Sequence, residues 1–330
     1  MPPEYPTDRF SAVPKIAVLD DYQNVARSFR GWSAVKKRAE VTVFHDHLDH
    51  EDDLVNRLLP FDAICLMRER TALPARVLER LPNLKLVTAT GMRNTVIDLE
   101  NARARGIGTC GTDSRQGGPA ELTWAFILSA ARQLSQETHS LRAGGWQTGV
   151  GADLEGSTLA IMGLGRIGRR VASVGHAFGM RVIAWSPNLT ARIAGEVGVE
   201  LVDKATLMRE ADWLTLHLKH SSRSTGIVGP DDLKLMKPSA WLINTSRGSL
   251  VDEEALLAAL FDNRIAGAAL DVFDAEPLPG DHPFRKLDNV IATPHIGYVT
   301  KGTYELYLQQ TAENLVAWLD GRLIRPLAQP

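Results

Sequence analysis

From Lys15 onward, apolar runs of strand length alternate with longer amphipathic segments, the pattern of parallel βαβ units. In the first third the runs are 16–19, 41–44, 63–67, 84–88 and 107–110, most of them separated by polar, helix-compatible stretches. Residues 114–119 (Ser-Arg-Gln-Gly-Gly-Pro) break the pattern, and Pro119 fits the first turn of a helix predicted to run to about Gln136. A second series follows at 159–162, 181–185, 214–218, 241–245, 268–273 and 290–293. The last segment, 302–319, places Leu306, Leu308, Leu315, Val316 and Leu319 at helical spacing, with no strand after it, and can dock back onto the first series. The pattern predicts an α/β protein with two doubly wound parallel sheets.

Length supports that count, since 330 residues suggest two domains at roughly 150 residues each. With 44% hydrophobic and 23% charged residues, the composition excludes a disordered, collagenous or coiled-coil chain. Thirty-seven Lys and Arg against 39 Asp and Glu leave a net charge of −2, so no overall basic field draws the chain to nucleic acid or to an anionic membrane. A local anion site stays open. The most apolar helical stretch, 122–131, falls far short of the roughly 20 residues that span hydrocarbon. Met1-Pro-Pro-Glu-Tyr-Pro lacks a basic region followed by an apolar run, so no secretory leader is expected and the cytoplasm is the expected location. Cys65 and Cys110 sit in apolar stretches with no partner at ligand spacing, which predicts buried free thiols. His45, His47 and His50, with Asp46 and Asp49 among them, fit no standard metal spacing and read as a polar connection, so no metal is expected.

Gly163-Leu-Gly165-Arg-Ile-Gly168 follows the apolar run 159–162 and opens a helix-like segment, 166–178, that ends at Gly179 before another strand. A bare G-x-G-x-x-G also fits a plain glycine turn or a methyltransferase, but the strand–loop–helix–strand context points to a dinucleotide. The glycines permit close backbone approach, and the N–H groups of Arg166, Ile167 and Gly168 at the helix start attract a pyrophosphate. Selectivity for NAD usually comes from a carboxylate at the end of the second strand. This chain has Trp185-Ser186-Pro-Asn188 there, and Glu196 comes too late. Ser186, Asn188, Thr190 and Arg192 can donate to a 2′-phosphate, so NADP(H) is open beside NAD(H), although no Arg directly follows the strand end.

Arg247, Glu276 and His295 each lie just past a predicted parallel strand, at the edge where open α/β sheets gather ligands. Hydride transfer to a 2-keto acid calls for these groups. A guanidinium can hold the carboxylate by paired hydrogen bonds and polarise the carbonyl. A His supplies the proton, and a neighbouring Glu favours its charged form.

Ile243-Asn-Thr-Ser-Arg-Gly-Ser-Leu-Val-Asp252, Asp271-Val-Phe-Asp-Ala-Glu-Pro277 and Thr293-Pro-His-Ile-Gly297 resemble the motifs of the D-isomer-specific 2-hydroxyacid dehydrogenases, as do 161–168, 236–238 and 256–260. The resemblance covers nearly the whole chain and is closest to phosphoglycerate dehydrogenase-like and hydroxypyruvate reductase-like members. It implies a Rossmann domain, 118–295, inserted into a flavodoxin-like substrate domain of 1–117 and 296–330, and a homodimer formed through the cofactor domain. It further implies Arg247, Glu276 and His295 as catalytic residues, Asp271 near the nicotinamide carboxamide, and His217, Leu218, Thr245, Ser246 and Gly297 along the dinucleotide.

Similar proteins commonly read Gly-x-Gly-x-Asp-Asn-Ile-Asp where this chain has Gly91-Met-Arg-Asn-Thr-Val-Ile-Asp98. The amides of Met92 and Arg93, after Gly91, remain able to hold a carboxylate. Arg93, and Arg68 at the end of the third strand, are candidate cations for a second acidic group, with plain solvent exposure as the alternative. Lys219 stands where similar proteins usually have Pro. The expected activity is an NAD(P)-dependent reductase or dehydrogenase of a small D-2-hydroxy acid. A dinucleotide-sensing binding protein or co-repressor on the same fold is the alternative, and Glu276 argues against formate oxidation, which needs no general acid.

Overall fold

In the computed structural model, which describes residues 12–115 and 117–327, strands apolar on both faces form the centres of two parallel sheets. The first sheet comprises β1 (Lys15–Val18), β2 (Glu40–Val43), β3 (Ala63–Leu66), β4 (Leu86–Ala89) and β5 (Gly108–Cys110), in the order β2-β1-β3-β4-β5. Every residue of β3 and β4 is buried. One face packs against Leu54, Val55, Leu58, Val77 and Leu78. The other packs against Leu308, Ala312, Leu315 and Trp318 of the helix Lys301–Leu319, together with Trp32 and Val35. The final helix therefore returns to the first sheet, as its unpartnered apolar spacing predicted.

The second sheet comprises β6 (Thr158–Met162), β7 (Arg181–Trp185), β8 (Glu200–Leu201), β9 (Trp213–Leu216), β10 (Trp241–Asn244), β11 (Gly267–Leu270) and β12 (Val290–Ala292), in the order β12-β11-β10-β9-β6-β7-β8. Its register aligns the strand ends. Trp185, Met162, Leu216, Asn244, Leu270 and Ala292 stand side by side in one row across the sheet. The connections beginning at Ser186, Gly163, His217, Thr245, Asp271 and Thr293 thus leave the sheet at a common level.

Three expectations need correction. The helix predicted to reach Gln136 is two helices, Gly118–Ala131 and Leu134–Arg142, because Gln133 adopts φ +49°. The buried face of the first ends at Ala131, and the second buries no residue. The runs 214–218 and 268–273 leave their ladders at Leu216 and Leu270, while Val272 and Phe273 stay buried in the following connection. The two-residue strand β8 has too little apolar pattern to be seen in sequence.

The described residues divide into two compact units, 12–115 with 301–327 and 117–300. Residues 117 and 296–300, assigned from sequence across the other side of the boundary, fall in the second unit. Among the described residues, no helix is long and apolar enough to cross a membrane. Residues 1–6, on which the expectation of no secretory leader rests, lie outside the described residues.

Candidate active site

Gly163 leaves β6 at φ +107°, and a Cβ there would stand 2.8 Å from the carbonyl of His217, so the turn requires glycine. A Cβ on Gly168 would collide with the Gly163 oxygen, so its absence lets the helix Arg166–Ala177 close onto the turn. Gly165 differs: its Cβ direction meets nothing within 4 Å. It is the N-cap of that helix, whose first turn carries no acidic residue and no side-chain cap. Arg166 is exposed and Ile167 half-buried. A helix start of this kind fits an anion held by backbone N–H groups.

Beside the turn, the His217 Nε2 is buried without a hydrogen-bond partner among the described residues. Burial pushes this imidazole down to about 4, so it is neutral at physiological pH. A neutral, orphaned ring nitrogen next to a glycine cradle fits a polar ligand atom. At the end of β7, half-buried Ser186 accepts from Leu189 N–H through its carbonyl at 3.1 Å. Thr190 caps the helix Ala191–Gly195. Arg192 lies 2.6 Å from Glu196, so its charge is already answered. Asn188 and Lys219 are exposed.

The loop after β10 is held from several directions. Asn244 accepts from Ser246 N–H at 3.0 Å and donates to the Arg247 carbonyl at 2.8 Å. Ser246 donates to the Leu218 carbonyl at 2.8 Å, and Thr245 shares a 2.9 Å hydroxyl contact with Thr123. Gly248 lies so close to the chain at Phe273 that a Cβ would collide with its carbonyl carbon. The Arg247 loop therefore lies directly against the connection that carries Glu276.

Glu276 accepts from Phe273 N–H at 2.9 Å through one oxygen and meets His295 Nδ1 at 2.6 Å through the other. Burial pushes its carboxyl up, but the His295 contact, the Phe273 N–H and the Arg247 charge together hold it below the usual carboxylate value. The His295 ring packs edge-on against Tyr298, with centroids 5.3 Å apart. Its backbone has φ +52°, a conformation uncommon outside glycine that marks a residue held by its surroundings.

Asp271 holds it. This fully buried carboxylate accepts from the Thr293 hydroxyl at 2.6 Å, Ile296 N–H at 2.7 Å and Gly297 N–H at 2.8 Å. Burial raises its pKa, with the three hydrogen bonds opposing. Its oxygens thus bracket His295 from both sides along the chain, and Gly297 leaves room for them, since a Cβ there would lie 3.0 Å from the carboxylate.

In the first unit, Arg68 (φ +55°) donates its N–H to Thr90 at 2.8 Å, and its guanidinium donates to the Thr90 carbonyl at 3.3 Å. The guanidinium lies over Gly91, where a Cβ would collide with Nη1. Gly91 (φ +92°) donates to the Thr112 hydroxyl at 2.9 Å. Met92 and Arg93 are exposed. Asn94 is buried and holds the Arg68 carbonyl at 2.9 Å. Arg68 and Gly91 are thus brought together, with Met92 and Arg93 on the same loop.

Residues 124–297 match the family described as "D-isomer specific 2-hydroxyacid dehydrogenase, NAD binding domain". The chain is 40% identical over 257 residues to a glyoxylate reductase of Aeropyrum pernix, covering 75% of this chain and 77% of that protein. It belongs to the D-isomer specific 2-hydroxyacid dehydrogenases. A D-3-phosphoglycerate dehydrogenase of Methanocaldococcus jannaschii is 38% identical over 277 residues, 83% of this chain but only 52% of that longer protein. A crystal structure of a phosphoglycerate oxidoreductase from Vibrio cholerae O395 is 41% identical, covers 92% of this chain and 98% of that one, and has a TM-score of 0.88.

This member of the family is an NAD-dependent oxidoreductase acting on 2-hydroxy or 2-keto acids. The connections that carry its candidate site residues in the second unit leave the sheet at the one level set by the strand register. Sequence reading missed the groups that hold them: Asn244 and Gly248 under Arg247, Thr123 against Thr245, and Tyr298 against His295. Gly248 was visible as the residue after the Arg, but only the approach of the Phe273 chain explains it.

Proposed function

We propose that the enzyme interconverts a small 2-keto acid and its D-2-hydroxy acid, with Arg247, Glu276 and His295 as the catalytic residues. The observation that carries this is the 2.6 Å contact from His295 Nδ1 to Glu276, at the sheet level that also bears the glycine turn. Bound NAD(H) supplies or accepts the hydride. Arg247 binds the substrate carboxylate and polarises its carbonyl. With Nδ1 held by Glu276, His295 uses Nε2 to deliver a proton to the carbonyl oxygen in reduction and to remove it in oxidation. Glu276, ionised throughout the neutral range, fixes the ring.

The proposed cofactor contacts are Gly163, Gly165, Arg166, Ile167 and Gly168 for the pyrophosphate and Ser186 for the ribose. His217, Leu218, Thr245, Ser246, Arg247, Asp271, His295 and Gly297 complete the set. Arg68, Gly91, Met92 and Arg93 are the proposed substrate contacts of the first unit. The test is a panel of glyoxylate, hydroxypyruvate and other 2-keto acids with both reduced cofactors. NAD(H) binding without turnover on any of them would favour a sensing role and overturn this reading.

The same proposal makes NAD(H) the cofactor, with weak discrimination against NADP(H), because Ser186 puts no carboxylate at the end of β7. Arg192, paired with Glu196, adds no strong clamp. Ser186→Asp should lower kcat/KM with NADPH by about tenfold or more and leave NADH use within a few-fold. A wild-type enzyme that already rejects NADPH would remove the argument from Ser186.

A homodimer is proposed through the second unit. There the helix Leu134–Arg142 buries no residue, and the following segment exposes Trp146 at 75% and Val150 at 93%, beside Leu134 and Leu141. Trp146→Glu should shift the sedimentation mass from dimer to monomer. An unchanged mass would place the interface elsewhere. The separate buried thiols of Cys65 and Cys110 suit a reducing compartment, so a cytoplasmic setting is part of the proposal.

A further inference from the structure

The His45–His50 connection has no part in the proposed reaction, yet two of its histidines reach back to the end of β1. His47 Nδ1 lies 2.9 Å from Asp20 Oδ1, and His45 Nδ1 lies 2.9 Å from the Asp21 carbonyl. Asp20 is 1% exposed and has φ +56°, so a buried carboxylate sits on a backbone conformation that needs outside support. Asp21 accepts from Val25 and Ala26 N–H at 3.1 and 3.0 Å, which fixes the chain on its other side.

From Asp20 the contacts continue to the end of β3. Its second oxygen accepts from the Thr71 hydroxyl at 2.6 Å, and its carbonyl accepts from Arg70 Nη1 at 2.6 Å. The Arg70 guanidinium also lies over the Tyr22 ring, 4.4 Å from its centroid. Residues 67–70 form a single turn, closed by Arg70 N–H donating to the Met67 carbonyl at 3.3 Å, and Thr71 follows it directly. Asn94 and Thr90 hold that turn at Arg68, and Asp20 holds it at Arg70 and Thr71.

We propose that His47 is a positioning residue for substrate binding: through Asp20 it sets the turn that carries Arg68. The inference rests on Arg68 being a substrate contact, as the proposed function has it. A buried carboxylate bridging two chain segments needs each of its oxygens satisfied, or the segment it bridges shifts. His47 at 2.9 Å, with the Tyr22 hydroxyl at a longer 3.5 Å, satisfies one oxygen, and Thr71 at 2.6 Å the other.

The charged groups that act on His47 are Asp20 from the β1 end and Asp46 and Asp49 of its own loop, while Tyr22 and Arg70 reach the same Asp20 from its other sides. The hydrogen bond to Asp20 holds its pKa above the usual imidazole value, against the effect of burial and with help from the three carboxylates. A group whose pKa is raised on folding contributes fully at low pH, and the contribution fades as pH rises from 6.5 through the raised value. Arg68 is therefore best positioned with His47 charged.

The test is steady-state kinetics on the full-length enzyme with glyoxylate or its best 2-keto acid. His47→Ala and, independently, Thr71→Val should each raise KM for the keto acid by about fivefold, with kcat and the KM for NADH within twofold. His47→Asn keeps an amide donor at the Nδ1 position but cannot titrate. Its KM should match wild type near pH 6, and the wild-type to Asn ratio should rise by about threefold towards pH 8. If His47→Ala does not fold, Thr71→Val decides. An unchanged KM in these variants, alongside a raised KM in Arg68→Ala, overturns the inference and leaves the proposed function intact. An unchanged KM in Arg68→Ala removes the substrate contact itself.

Discussion

His295→Asn should lower the turnover of 2-keto acid reduction by about 10² to 10⁴ while leaving the affinity for NADH within a few-fold. Asn suits this test better than Ala. It tolerates the left-handed backbone at φ +52°, and its amide can replace the Nδ1 contact to Glu276. What it lacks is the second nitrogen, the group proposed to carry the proton. A loss in His295→Asn therefore reads as lost proton transfer, not a collapsed loop, provided that the melting temperature stays near wild type. Glu276→Gln probes the other half of the pair. It keeps the geometry and removes the charge that faces the ring, so its turnover should fall at neutral pH while the melting temperature stays near wild type. Against the effect of its burial, the contact with His295, the Phe273 N–H and the Arg247 charge hold the Glu276 carboxyl below the usual carboxylate range, so in the wild type its contribution persists through neutral pH and is lost only as pH falls through that lowered value. Normal turnover in His295→Asn would remove His295 from the mechanism.

How far the sequence reveals such a site depends on which interactions are local. The parallel sheets were readable because their central strands are apolar on both faces, as at 63–66 and 86–89. The glycine turn was readable because strand, turn and helix are contiguous. The positions of Arg247, Glu276 and His295 just past strands were readable, and strands ending level send the connections after them off one edge. Two kinds of feature were hidden. The break at Gln133 lies in a stretch of strong helix formers, and only the end of the buried face at Ala131 marks it. Asp271 and Gly248 act across 22 to 26 residues of sequence, Asp271 through hydrogen bonds and Gly248 through closeness of backbones, and no local pattern encodes either. The Asp20–His47 bridge is hidden in the same way, since it joins the ends of β1 and β2 through a loop whose composition looked merely polar.

Asp271→Ala should be the most destabilising of these substitutions, by roughly 3–5 kcal/mol, because it strands three donors that converge on this fully buried carboxylate. The Thr293 hydroxyl can rotate to another acceptor, but the N–H groups of Ile296 and Gly297 are fixed by the backbone. With them unsatisfied, residues 293–297 relax, and the strained conformation of His295 goes with them. The resemblance assigned Asp271 to the nicotinamide carboxamide; the structure gives it three donors within the protein, so its first effect is on the loop that carries the His. Asp271→Asn separates these roles. The amide keeps one acceptor oxygen but turns an NH2 towards a donor, so it should lower stability by less than Ala and still reduce kcat by tenfold or more. If Asp271 acted only on the cofactor, Asp271→Asn would raise the KM for NADH and leave both kcat and thermal unfolding near wild type. If it holds His295, kcat falls and the unfolding midpoint falls with it, while the KM for NADH changes little. Measuring the three quantities on one preparation distinguishes a carboxylate that binds cofactor from one that keeps the catalytic histidine in place.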